Sequence, residues 1–247
     1  MNLNKIKKKQ FIKNGYFIGK INPKILKALR KKYFEIFNTV SKLTNGIKVK
    51  NDSDLIKLYN SKKRFVWEAA YDLRLFEPLL YKLAATEELM NLAKIAGIKK
   101  PHFKTVPVLR IDMPEDSNHS YKMHQDYPFS SGSKNSVTMW IPLQEVTTKN
   151  GCLKIVQGSH KGKKIYKTYK DNIIQSRHKF SFKDVPCKMG DVLVFSQCLV
   201  HKSGNNNSKS ARFSIQIRFN DLSKKDSISK ILKEKFNLRK SNKTIIN

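Results

Sequence analysis

The apolar pattern of this chain changes its period once, near residue 100, and that change limits the possible folds more than any other feature. Before it, Leu26, Leu29, Tyr33, Phe37, Val40 and Leu43 recur at three and four positions and so share one helical face. Asn22-Pro23 supplies an N-cap and a first-turn proline for that helix. Helical spacing continues through Leu55, Ile56 and Tyr59, then Phe65, Val66, Ala69 and Leu73, then Leu79, Leu80 and Leu83. Thr86 is expected to cap a last helix whose Leu89, Leu92 and Ile95 face inward, with Gly97 as its left-handed stop. From residue 105 the apolar residues fall instead into short β-rich runs at 106–113, 137–146, 153–156, 191–196 and 211–219, divided by polar turns. The expectation is a barrel or sandwich with helical additions. Residues 1–20 read as a short polar lead-in anchored by Phe11, Tyr16, Phe17 and Ile18.

The run at 211–220 alternates strictly. Phe213, Ile215, Ile217 and Phe219 take one face, and Arg212, Ser214, Gln216 and Arg218 the other. Such a strand normally turns its polar face to water. In a barrel whose interior is a reaction site the polar face turns inward, where a fixed guanidinium holds a carboxylate through two parallel hydrogen bonds.

His124 and Asp126 are separated by one residue, a spacing that puts both side chains on the same face of a strand, within reach of one ion. His201 follows the β-rich stretch around 192–195. Two neutral imidazoles and one carboxylate cover one face of a six-coordinate Fe(II) and leave three positions for a cosubstrate and O₂.

The chain resembles the phytanoyl-CoA dioxygenase-like (PhyH) family of Fe(II)/2-oxoglutarate-dependent oxygenases. The resemblance rests on His124-Gln125-Asp126, Trp140-Ile141-Pro142-Leu143, Asn150-Gly151-Cys152-Leu153, Gln157-Gly158-Ser159-His160, the 190–195 stretch, His201-Lys202-Ser203-Gly204 and Arg212. These occur in family order over residues 105–220. The resemblance implies a mainly β fold: a double-stranded β-helix (jelly roll, cupin-like) core flanked by N-terminal helices. It implies one oxygenase domain over residues 1–222, helical over 1–100 and β over 101–222, while the residue pattern itself reads as a basic helix or tail at 223–247. It implies further that His124, Asp126 and His201 bind Fe(II), and that Arg212, helped by Ser203, holds the distal carboxylate of 2-oxoglutarate. Gln125 and Trp140 match positions lining the cosubstrate pocket, although Trp140 equally suits plain core. Arg110, on the strand leading to the ligands, is either a pocket residue or an ordinary surface arginine. His160 matches a structural turn residue of the family, and His102, His119 and His178 read as surface residues. The implied activity is hydroxylation of a small polar or anionic metabolite with release of succinate and CO₂, using O₂ and supported by ascorbate. Related halogenases lack the carboxylate ligand, so Asp126 favours hydroxylation over halogenation.

Composition bounds the partners. Fifty Lys and Arg against nineteen Asp and Glu give a net charge of +31, which attracts phosphate-bearing ligands, nucleic acid or anionic lipid. The lysines are scattered along the chain, as AT-rich codon usage produces, and a nucleic-acid patch needs clustering. A small-molecule substrate, with phosphate-bearing candidates mildly favoured, is therefore expected ahead of nucleic acid. A non-catalytic basic protein binding RNA or a membrane surface is the alternative on the same fold. Cys152, Cys187 and Cys198 show neither disulfide nor zinc spacing, and the apolar runs are too short to span a membrane. Together these point to the cytoplasm.

Overall fold

A computed structural model describes residues 2–44, 46–116, 120–129, 132–168, 173–176 and 179–227. The expected basic helix beyond residue 227, His119 and His178 lie outside the described residues.

The helical part holds α1 (Leu3–Asn14), α2 (Pro23–Leu43), α3 (Asp52–Tyr59), α4 (Arg64–Leu73), α5 (Pro78–Ala84) and α6 (Glu87–Ile95). Helix α2 starts as its sequence predicts: the Asn22 side chain accepts a 2.9 Å hydrogen bond from the Lys24 amide, and Pro23 follows. Its apolar stripe buries Leu26, Leu29, Tyr33 and Phe37 completely. Thr86 occupies the N-cap position of α6 but does not cap it. Its hydroxyl donates backward to Leu83 O at 2.9 Å, the same carbonyl that its own amide reaches at 3.1 Å just past the end of α5. Gly97 lies just beyond α6 at φ +90°, as expected.

Among the described residues nine strands form two sheets, the first of them lying between α1 and α2. They are β1 (Tyr16–Lys20), β2 (Pro101–Phe103), β3 (Val108–Asp112), β4 (Ser136–Pro142), β5 (Leu153–Ile155), β6 (Lys183–Val185), β7 (Asp191–Ser196), β8 (His201–Lys202) and β9 (Arg212–Asp221). The large sheet runs β1-β7-β4-β9-β2, with β3 also paired to β9, and the small sheet runs β6-β5-β8. Every pairing among these strands is antiparallel. Two facing antiparallel sheets make the jelly-roll architecture.

The lead-in expected at residues 1–20 is corrected. It forms a twelve-residue helix and then a strand that pairs with β7 from Tyr16↔Phe195 to Lys20↔Asp191. A helical half ending at residue 100 therefore does not hold either, since β1 completes one edge of the large sheet. Strands β2, β6 and β8 were invisible to periodicity because two or three residues carry no repeat.

Alternation along the large sheet sorts its side chains between two cores. Val137, Met139, Ile141, Val192, Val194, Phe213, Ile215, Ile217 and Phe219 pack with the helices. Trp140, Leu193 and Phe195, of opposite parity, pack with Leu153, Ile155 and Val185 of the small sheet. The space between the two sheets is where the polar residues of even parity on β9 point.

Candidate metal and cosubstrate site

His124, Asp126 and His201 are brought together. All three are buried, and one ligand atom from each lies within 4.8 Å of the others. The His124 segment is joined to β8 by a single antiparallel bridge, His124↔His201, with amide-to-carbonyl bonds of 2.9 and 3.0 Å in the two directions. That bridge sets the two imidazoles side by side, their ring centroids 4.2 Å apart.

The backbone also sets their tautomers. His124 Nδ1 lies 2.6 Å from Lys122 O, and His201 Nδ1 lies 3.0 Å from Leu199 O. A carbonyl only accepts, so each Nδ1 carries the proton and each Nε2 presents a lone pair. Those Nε2 atoms stand 3.5 and 3.7 Å from Asp126 Oδ1. Burial, with His124 alongside, pushes the His201 imidazole down to about 4, so it is neutral at physiological pH.

Asp126 is held from its other oxygen. Thr138 Oγ1 donates to Oδ2, Gln197 Nε2 donates to Thr138 Oγ1 at 3.3 Å, and Arg218 Nε lies 3.5 Å from the same Oδ2. Burial opposes the charge of Asp126, but the nearby Arg218 guanidinium leads the causes that hold its carboxyl well below the usual range. Two neutral nitrogen donors and one carboxylate, converging and already oriented, fit a divalent first-row metal such as Fe(II).

Beside the triad lies a cavity of about 140 Å³, lined by His124, Asp126, His201 and by the expected Trp140, Ser203, Arg212 and Arg110. Arg212 is 1% exposed, yet its Nε and Nη1 find no hydrogen-bond partner, and Ser214 Oγ on the same face is also unpartnered. Unmet donors on a buried guanidinium call for an anionic partner such as a carboxylate. The remaining nitrogen, Nη2, lies 2.6 Å from Asp112 Oδ2, and Arg110 lies 2.7 Å from Asp112 Oδ1. Asp112 is the register partner of Arg212 across β3 and β9, so one carboxylate aligns two guanidinium groups that face the cavity. Gly151 allows the neighbouring loop to close over them: it has φ +86°, and a Cβ there would come within 2.7 Å of Arg212 Nη1.

Gln125 is corrected. It points away from the cavity, completely buried, with Nε2 donating to Lys164 O at 2.8 Å and Cys198 O at 2.6 Å, and Oε1 accepting from the Tyr166 amide at 2.9 Å. Alternation is the reason, since the residue between two that face the ion faces the other way. Trp140 is both core and cavity wall: it is 2% exposed, and its ring lies 5.9 Å from the Arg212 guanidinium. His160 lies outside the cluster, its Nε2 3.2 Å from Ile12 O, where it ties the 158–160 turn to α1. His102 is exposed.

Sequence reasoning passed over Asp112, Thr138 and Arg218. Each had one available signal, its parity: Asp112 matches Arg110, Thr138 matches Trp140 and Arg218 matches Arg212.

Residues 58–214, more than half of the chain, match the family model described as Phytanoyl-CoA dioxygenase (PhyH). A probable phytanoyl-CoA dioxygenase of Caenorhabditis elegans is 24% identical over 160 residues, covering 58% of this chain and 51% of that protein. This chain thus spans about half the length of that relative. Among solved structures, EctD from S. alaskensis with 2-oxoglutarate and 5-hydroxyectoine superposes with a TM-score of 0.63 at 17% identity, covering 90% of this chain and 77% of that one. The epimerase SnoN in complex with Fe³⁺, alpha-ketoglutarate and nogalamycin RO gives a TM-score of 0.62 at 16% identity, covering 88% and 83%. These structural likenesses establish the jelly-roll fold.

Proposed function

This chain belongs to the phytanoyl-CoA dioxygenase family, and from that premise we propose that it is an Fe(II)/2-oxoglutarate-dependent oxygenase that hydroxylates a small polar or anionic metabolite. His124, Asp126 and His201 would hold the metal, and Arg212, with Ser203 beside it, would hold the distal carboxylate of 2-oxoglutarate. When bound, Fe(II) with 2-oxoglutarate and O₂ supplies an oxidant for a C–H bond, and the cosubstrate leaves as succinate and CO₂.

The protein's own contribution is placement and exclusion of water. The carbonyls of Lys122 and Leu199 keep both imidazoles in the tautomer that presents Nε2. Thr138 and Arg218 hold one oxygen of Asp126 and leave the other facing the histidines. Asp112 orients the Arg212 guanidinium, which keeps unpaired donors open to the cosubstrate carboxylate. Trp140, Leu153 and Phe195 give the cavity apolar walls. At about 140 Å³ the inner cavity suits a small cosubstrate, and the substrate would approach from the larger hollows beyond Tyr121.

Among the described residues no helix is long and apolar enough to cross a membrane. The three cysteines are free and buried, which suits the reducing cytoplasm, where we place the protein.

The observation that carries this reading is the convergence of three buried donors with both imidazoles locked by backbone carbonyls. It is tested by succinate release on adding Fe(II), 2-oxoglutarate and ascorbate to the wild-type chain and to Asp126→Ala. Release is expected from the wild type alone. Release from both proteins, or from neither, would end this reading.

A further inference from the structure

Tyr121 and Ser203 line the inner cavity and also a hollow of about 810 Å³. The hollow lies against Lys154 of β5 and Lys202 of β8, whose parity is opposite to that of Ile155 and His201. Lys122 joins them in its lining, and no carboxylate lines it among the described residues.

These lysines place positive charge on the hollow that an anion would offset. Lys154 and Lys202 stand directly opposite each other across β5 and β8, a position where like charges destabilise a sheet. Asp184, the next residue across, pairs with Lys154 at 3.0 Å and neutralises that side only. Lys202 lies over the Phe182 ring, 4.3 Å from its centroid. Among the described residues no carboxylate lies within ion-pair distance of Lys202 or Lys122. Thr148, Asn205 and Asn207 add neutral polar groups to the same wall.

We infer that this hollow binds a phosphate-type dianion, a phosphate monoester or phosphonate carried by the substrate, with the rest of the substrate reaching past Tyr121 into the inner cavity. Two open ammonium groups match two negative charges. Lysine acts on phosphate as a mobile point charge, whereas a planar carboxylate is better met by an arginine fork, which this lining lacks. The inference rests on the oxygenase reading for its use in catalysis, while the anion site itself can be judged separately.

The test is calorimetric titration of the intact, metal-free chain with inorganic phosphate and, separately, with malonate. One phosphate per chain is expected, with binding about tenfold weaker in the Lys122→Gln/Lys202→Gln double variant, the size of a 1.4 kcal/mol loss. Lys202→Arg should retain most of the affinity, which separates lost charge from a disturbed fold. Lys8→Gln/Lys94→Gln, on the basic surface of α1 and α6, should leave it unchanged. Equal weakening by both double variants, malonate binding as tight as phosphate, or no saturable binding would each overturn the inference. Succinate release by the wild type is measured in parallel. Its absence would sink the oxygenase reading, whereas the phosphate titration alone decides the anion site.

Discussion

The two faces of β9 are one strand under two sets of rules. On the helix side Phe213, Ile215, Ile217 and Phe219 are completely buried in the apolar core shared with the helices, and Arg30 of α2 lies over the Phe213 ring. On the cavity side Arg212 and Ser214 are equally buried but carry polar atoms without partners, and Gln216 and Arg218 are partly open. An unpaired buried donor costs stability, of the order of 1–3 kcal/mol, so the cavity face is maintained against the fold's own interest. The helix face stabilises; the cavity face waits for a ligand.

The comparison can be broken first where the effect is largest. Phe213→Ala should destabilise the chain by about 3–5 kcal/mol, read from the urea midpoint, because it opens a cavity between β9 and α2. A smaller shift than that of any cavity-face substitution would show that the two faces do not divide the work in this way. Next, Arg212→Met should raise KM for 2-oxoglutarate by about 30-fold, corresponding to about 2 kcal/mol of lost charged hydrogen bonding. Its unfolding midpoint should move less than that of Phe213→Ala. An unchanged KM would mean that the guanidinium is structural.

A sharper version uses Asp112, which touches Arg212 and Arg110 from the neighbouring strand. Asp112→Asn leaves both guanidinium groups without their shared anion and should raise KM for 2-oxoglutarate about tenfold while kcat changes much less. Equal changes in both constants would assign Asp112 to general packing. A separate effect, on stability rather than on KM, belongs to Asp221, the last residue of β9. Burial opposes its charge, but the amides of Lys100 and Ser223 donate to it at 3.0 and 3.1 Å and hold its carboxyl at about 2. This lies below the unfolded value of about 3.9. Its contribution to stability is therefore complete above that value and is lost as pH falls toward 2. Thermal melts across that window should show a flatter acid limb for Asp221→Asn, and identical limbs would remove Asp221 from the account.

Much of this was legible before the fold was known, and the division follows range in sequence. Alternation over 211–220 is a local pattern, so the strand and its two faces could be read directly, within a residue of the observed bounds. Helix α2 could be read for the same reason, through its cap, its proline and its apolar stripe. The His124, Asp126 and His201 set was legible because its residue types are chemically selective. Short β8 and β1 were not, since they exist only through pairing with distant segments.

Which face of β9 turned inward was also undecided by pattern, because a polar face suits water as well as a reaction cavity. The second sheet decided it by packing opposite. Gln125 shows the same limit: its type and position suited a pocket, while its donors and acceptor are used by Lys164, Cys198 and Tyr166, far along the chain.

By itself the sequence determined the secondary-structure periods, the ligand types and the arginine that could meet a carboxylate, because these depend on residue chemistry and neighbours within a few positions. Only the tertiary structure decided the imidazole tautomers, the Asp112 bridge and the lysines gathered beside Tyr121. Each of those depends on a carbonyl, a register or a close approach that chain packing alone supplies.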